Sequence, residues 1–169
     1  MDIQIVLVME TNEKSKSDYM YIRSILNCWY DLQSRTDRKI VPIFMNGKGN
    51  YKNKRVISKI EKSRQAYRNG DTCVVYCFDT DKYDTDPNEL LTLTQEQNYC
   101  TKNGYEFVWF CHDIEEVFLG KSIPNSDKTD KAREYMISNG INNLQKRNFE
   151  AKSISNRKSN LLRVLDKYM

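Results

Sequence analysis

Four short apolar runs divide the first two thirds of the chain, each closed by polar or turn-forming residues. Residues 3–9 (IQIVLVM), 39–45 (KIVPIFM), 72–78 (TCVVYCF) and 105–111 (YEFVWFC) are rich in β-branched and aromatic side chains. Runs of this length and composition predict strands, buried on both faces where the run is unbroken. Pro42 cannot donate to a ladder and pushes the second strand toward a sheet edge. Between the runs the apolar spacing changes to a helical period. Tyr21, Ile22, Ile25, Leu26 and Trp29 mark a helix over 17–30, with Ser17 or Asp18 as its N-cap. Val56, Ile57, Ile60 and Ala66 mark the inward face of a second helix over 51–67, stopped by Asn69-Gly70-Asp71. Leu90, Leu91, Leu93 and Tyr99 mark a third over 88–103, with Pro87 in its first turn and Asn103-Gly104 closing it. Another helix starts within 112–119. The alternation β-α-β-α-β-α-β-α predicts an α/β domain with a mostly parallel, Rossmann-like sheet of four or more strands flanked by helices. Residues 120–130 (GKSIPNSDKTD) read as a polar linker. Residues 131–169 read as a mainly helical, basic extension, with Ile137, Ile141 and Leu144 on one inward stripe and Leu161, Leu162, Val164 and Leu165 on another. The expected organisation is a 1–120 domain with a 121–169 extension packed on it.

The third run ends in Asp79-Thr80-Asp81. Alternation along an extended chain would send both carboxylates to the same side, at the sheet edge where open α/β folds bind ligands. Two close, unpaired carboxylates repel, and a divalent cation relieves that repulsion. The plain alternative is one helix cap and one solvated Asp. The other strand ends also carry acids: Glu10 follows the first run, and Asp113, Glu115 and Glu116 follow the fourth. In a parallel sheet these ends share one edge, so carboxylates from separate segments would converge there. Oxygen ligands without His or Cys favour a hard cation, Mg²⁺ or Mn²⁺. An acidic first helical turn is the ordinary alternative for Asp113, Glu115 and Glu116.

Composition narrows the field. The 169-residue, 20.0 kDa chain suits one domain, and 11% aromatic content with eleven Tyr argues against disorder. Five cysteines without a C-x-x-C pair suggest a reducing, cytoplasmic setting, and a single histidine argues against zinc. Run 3–9 lacks a basic start and is too short for a signal peptide, and no run reaches membrane-spanning length, so no membrane partner is expected.

The +4 net charge is mild but unevenly placed. Lys48, Lys52, Lys54, Arg55, Lys59, Lys62, Arg64 and Arg68 are interleaved with Tyr51 and Tyr67, against a single Glu61. A Gly-containing loop followed by a basic helix can engage phosphates while aromatics stack on unpaired bases; a merely solvated face is the alternative. Gly47-Lys48-Gly49 lacks the P-loop spacing. A second basic concentration includes Arg157 and Lys158, in a stretch that also reads as an N-cap region. DNA or RNA is the expected partner, and oligomeric state is left open.

A first strand ending in Glu10 and a later strand ending Phe78-Asp79-Thr80-Asp81, with α/β alternation between them, resemble the TOPRIM domain of topoisomerases, bacterial primases and the overcoming-lysogenization-defect nucleases. The nearer likeness is to the small RloB-like and abortive-infection branch, over roughly residues 3–120. Its first-loop motif E-G-x-T-E-x-x-Y-F is matched by Glu10 and, after a longer loop, by Ser17-Asp18-x-x-Tyr21-Ile22. Its fourth-strand motif N-P-x-F-E is matched only by His112 to Leu119, without Asn-Pro, and Thr11 stands in place of the motif glycine. The resemblance implies a Mg²⁺- or Mn²⁺-dependent nuclease of antiphage defence, activated by an ATPase or other defence subunit. It implies Glu10, Asp79, Asp81 and Glu116 as catalytic residues, and Glu10, Asp79, Asp81, Asp113, Glu115 and Asp18 as metal ligands. Two other readings compete. One is a non-catalytic module of the same fold that docks on a partner or nucleic acid. The other is a phospho-receiver, which needs a convincing fifth strand followed by Lys.

Overall fold

A computed structural model describes all residues, 1–169. Four strands form one all-parallel sheet in the order β2-β1-β3-β4: β1 Asp2–Met9, β2 Arg38–Phe44, β3 Gly70–Asp79 and β4 Glu106–Phe110. Pro42 lies on the edge strand β2, where no ladder partner misses its amide. The connecting helices are α1 Ser17–Tyr30, α2 Lys54–Ala66 and α3 Pro87–Asn103, followed by α4 Ile114–Leu119, α5 Lys128–Ile137 and α6 Leu161–Leu165.

Strand alternation divides the core in two. Ile5, Leu7, Met9, Val75, Cys77, Val108 and Phe110 face α1, α4, α5 and α6 on one side. Val6, Val8, Val74, Tyr76 and Phe78 face α2 and α3 on the other. The α1 crossover therefore covers one face, and the α2 and α3 crossovers cover the opposite one. The connections leaving β1 and β3, which are neighbours, diverge at the carboxyl edge and open a crevice there, the usual ligand position in such sheets.

Several local expectations need correction. The N-cap of α1 is Lys16, at φ 53°, so Ser17 and Asp18 lie inside its first turn and are buried. Helix α2 starts only at Lys54, because a 3₁₀ turn over Lys48–Asn50 precedes it and Asn53 accepts from the Arg55 amide as its cap. Ala66 is exposed. Gly70 does not stop α2; it opens β3, where a Cβ would stand 1.8 Å from the Asp2 carbonyl oxygen. Only β1 and β3 running this close require the glycine.

The extension shares the α1 core but is not mainly helical. Short 3₁₀ turns over Gly140–Asn143 and Lys146–Phe149 separate α5 from the five-residue α6. Ile137 is 84% exposed and leaves the expected stripe, and Met136 is exposed too, whereas Tyr135 and Ile141 are buried. The stretch around Arg157 and Lys158 leads into α6, where the Asn160 side chain makes no cap bond but Ser159 Oγ accepts from the Leu161 amide at 3.1 Å. It runs antiparallel along the free edge of β4: the Arg157 amide donates to the Cys111 carbonyl and the Cys111 amide to the Lys158 carbonyl. Asn160 accepts from the Trp109 amide and donates to the Phe107 carbonyl. Covering an edge in this way removes a template for unwanted strand pairing. The sheet has no fifth strand, so the receiver architecture is not met. All five cysteines are free, and no helix is long and apolar enough to cross a membrane.

Candidate metal centre and its basic surroundings

The crevice holds two adjoining polar cavities, neither lined by a hydrophobic residue. The first, about 550 Å³, takes Glu10 from the end of β1, Asp18 from α1, Asp79 from the end of β3 and Glu115 from α4. Glu10 Oε1 accepts from the Asp79 amide at 2.8 Å, which ties the ends of β1 and β3 together. Asp79 Oδ1 accepts from the Ile114 amide at 2.9 Å, which docks the start of α4 on β3. Asp113 caps α4 through the Glu116 amide at 2.8 Å.

These carboxylates are mutually unfavourable. Burial, then the Glu10 and Asp18 charges, holds Asp79 well above the ordinary carboxylate range. Glu10 is likewise held high by burial, against a lowering hydrogen bond from the Asp79 amide. Asp18, 8% exposed, is pushed up to about 7 by burial and then by the Glu115 charge, with Lys128 pulling the other way. Glu115 is raised by burial, partly offset by Lys128. Lys128 Nζ lies 3.0 Å from Glu115 Oε2 and 3.3 Å from Asp113 Oδ2. The contact with Glu115 is an ion pair without hydrogen-bond alignment, since Oε2 has no hydrogen-bonding donor. The hydroxyls of Thr11 and Ser17 also line this cavity, buried and without partners.

The second cavity, an open groove of about 900 Å³, is lined by Asp81, Asp84, Glu89, His112, Asp113 and Glu116, among others. Asp81 does not share the first cavity with Asp79. The strand ends at Asp79, and Asp81 sits at φ 48° while its amide donates to the His112 carbonyl at 2.8 Å. Strand alternation therefore does not carry through to residue 81; Asp is among the few side chains that tolerate this left-handed conformation. Glu116 also faces the second groove, where His112 lies between two acids, with Nδ1 3.4 Å from Glu116 Oε2 and Nε2 3.1 Å from Asp84 Oδ2. Burial alone would lower the His112 pKa, but hydrogen bonds to Asp84 and Glu116 outweigh it and raise it.

Of the sequence candidates, then, Glu10, Asp18, Asp79 and Glu115 meet, while Asp81 and Glu116 stand next door and Asp113 borders the groove as a helix cap. The four that meet share a cavity without closing into a set of three or more at metal-ligating spacing. Their donor set is still all oxygen, with two orphaned hydroxyls beside it. Such a set fits a hard cation held by one or two carboxylates and completed by water, the usual manner of Mg²⁺. Lys128 was missed by sequence reasoning because it lies in the stretch read as linker, although Asp127 at the N-cap of α5 and Asp130 in its first turn are the residue types that open helices.

The basic candidates divide as well. Lys52 and Lys54 are exposed at the start of α2, and Arg157 and Lys158 on the β4 edge strip. Arg55 is exposed but engaged: it donates to the Phe44 and Met45 carbonyls and pairs with Glu13. Lys48 is turned inward and bound to acids, so it does not belong to a phosphate-facing surface. Tyr51 is buried against Phe78 and Tyr99, and is not free to stack on bases. Comparison with protein-family models, curated proteins and solved structures finds no match to this chain.

Proposed function

We propose that this protein is a metal-dependent phosphodiesterase acting on DNA or RNA, with Mg²⁺ or Mn²⁺ held among Glu10, Asp18, Asp79 and Glu115. The observation that carries the reading is the meeting of four acidic side chains, from four separate segments, in one polar cavity at the carboxyl edge of a parallel sheet. Carboxylates whose pKa values are driven up by burial and then by one another are stabilised as anions by an added cation. Such a cation would supply charge stabilisation on phosphoryl oxygens and a more acidic bound water.

The chain's own residues would do the remaining work. The hydrogen bond from the Asp79 amide orients Glu10, and the Ile114 amide orients Asp79. Held between Asp84 and Glu116, His112 is an oriented proton carrier at the mouth of the adjoining groove. The exposed Lys52, Lys54, Arg157 and Lys158 would draw a polyanion toward an otherwise acidic edge. A TOPRIM-type nuclease of antiphage defence, switched on by an ATPase or other defence subunit, is the assignment that the sequence motifs favour within this class.

A second reading has its own support. Lys128 and Lys48 already neutralise part of the acidic edge from within the chain. A non-catalytic module of the same fold, docking on nucleic acid or protein, would use such lysines in place of metal. The test is cleavage of plasmid DNA, single strands and tRNA by wild type and Asp79→Asn, with Mg²⁺, with Mn²⁺ and with EDTA. Asn keeps an oxygen acceptor for the Ile114 amide. Metal-dependent cutting lost in the variant supports the enzyme; absence of both cutting and metal binding supports the module.

A further inference from the structure

Lys48 is no ordinary surface lysine. Its side chain is 14% exposed, and Nζ donates to the Asp79 carbonyl at 3.0 Å, to Asp81 Oδ2 at 2.9 Å and to Glu89 Oε2 at 3.4 Å. The backbone delivers it there. Asn46 and Gly47 have φ of 56° and 113°, and their amides donate to the Thr11 and Glu10 carbonyls, which carries the loop after β2 across the end of β1.

A third acid lies behind these contacts. Glu96 on α3 is fully buried, and neither of its carboxylate oxygens has a hydrogen-bond partner. Lys48 is the one positive charge acting on it, against the repulsion of Asp81 and Glu89. A buried carboxylate without donors is costly unless a cation lies near. A main-chain carbonyl and two carboxylates from two elements thus contact a single ammonium, and the buried Glu96 lies near enough to feel its charge. That is an oxygen-lined seat for a cation, filled by the chain itself.

We propose that Lys48 is a built-in cation occupying the second cation position of this edge, so that the protein takes one divalent ion and Asp81 anchors Lys48 instead of ligating metal. The inference rests on the metal reading above and specifies its stoichiometry. It also accounts for the separation of Asp79 and Asp81: one carboxylate serves the metal cavity, the other the ammonium.

The test counts bound Mn²⁺ by electron paramagnetic resonance in wild type, Lys48→Met and Asp81→Asn, each checked for folding by circular dichroism. One ion is expected in wild type and one in Asp81→Asn, since Asp81 holds no metal. Lys48→Met vacates the seat and is expected to gain a second, weaker ion. Two ions in wild type, loss of the ion in Asp81→Asn, or a folded Lys48→Met that still binds one would each overturn the assignment. If Lys48→Met fails to fold, the Asp81→Asn count decides alone. No Mn²⁺ on wild type would instead strike the metal reading itself, and the Lys48 assignment with it.

Discussion

Asp18→Asn should make the metal-free protein more stable at pH 8, although it removes a charge from the proposed centre. Asp18 is 8% exposed, and its carboxyl is pushed from 3.8 to about 7, first by burial and then by Glu115. A rise of that size corresponds to roughly 4 kcal/mol of unfavourable ionisation in the folded state. The asparagine amide in the same place gives back about 1–3 kcal/mol, because it too is buried with few partners. A net gain of about 1–3 kcal/mol remains, or about 3–10 °C in melting temperature for a chain of this length. The pH dependence carries a definite sign. Between 3.8 and about 7 the folded state binds more protons than the unfolded one, so wild-type stability falls as pH rises through that window and the penalty is complete above it. The advantage of Asp18→Asn is therefore full at pH 8, shrinks below pH 7 and is gone near pH 4. Thermal melts in EDTA from pH 4 to 8 measure it. Adding Mg²⁺ should narrow the gap, because wild type gains more from the cation. A variant less stable than wild type at pH 8, or a difference that does not change with pH, would refute the picture of an Asp18 carboxylate disfavoured by burial and by the Glu115 charge.

Three further outcomes follow from the geometry. The sole histidine, His112, should titrate above 6.5 by NMR, and Asp84→Asn should lower that value, because a hydrogen bond from Asp84 is a main cause of the rise; stability tied to this pair is present at low pH and lost as pH rises through the shifted value. Gly70→Ala should destabilise by about 1–3 kcal/mol or more in urea melts, since its Cβ meets the Asp2 carbonyl oxygen at 1.8 Å. Double replacement Lys52→Glu/Lys54→Glu should weaken binding to single-stranded nucleic acid and flatten its salt dependence by about 1–2 units of slope in fluorescence anisotropy, while Lys48→Met leaves that slope unchanged because its ammonium is engaged with acids.

The sheet was legible because its signals are local and redundant. Each strand of the α/β order is a run of β-branched and aromatic residues, and Pro42 marked the edge strand. Pro87 in the first turn, Asp86 accepting from the Asn88 amide as its cap, and Gly104 at φ 66° bounded α3 as sequence rules require. The extension was harder to read. Its apolar residues are too sparse to fix a helical period, and its course along the β4 edge is set by Asn160 reaching the backbone of residues 107 and 109, a contact with no local signature.

The site divides along the same line between local and distant causes. Placement of Glu10, Asp79 and Glu115 at one edge follows from parallel strands alone, so counting strand ends found them. The D-x-D spacing misled because it assumes extended backbone through both acids. The strand ends at Asp79, and the next residues continue onto the carbonyls of Phe110 and His112, leaving Asp81 in a left-handed conformation. That turn aims Asp81 at Lys48, a residue 33 positions earlier in the chain. Charge pattern alone counted Lys48 with the basic surface, since nothing local to it says that its partners are Asp81 and Glu89. The same long-range pairing that hid the role of Lys48 makes it informative now: an ammonium so enclosed by acids is neither a free phosphate contact nor a flexible surface charge.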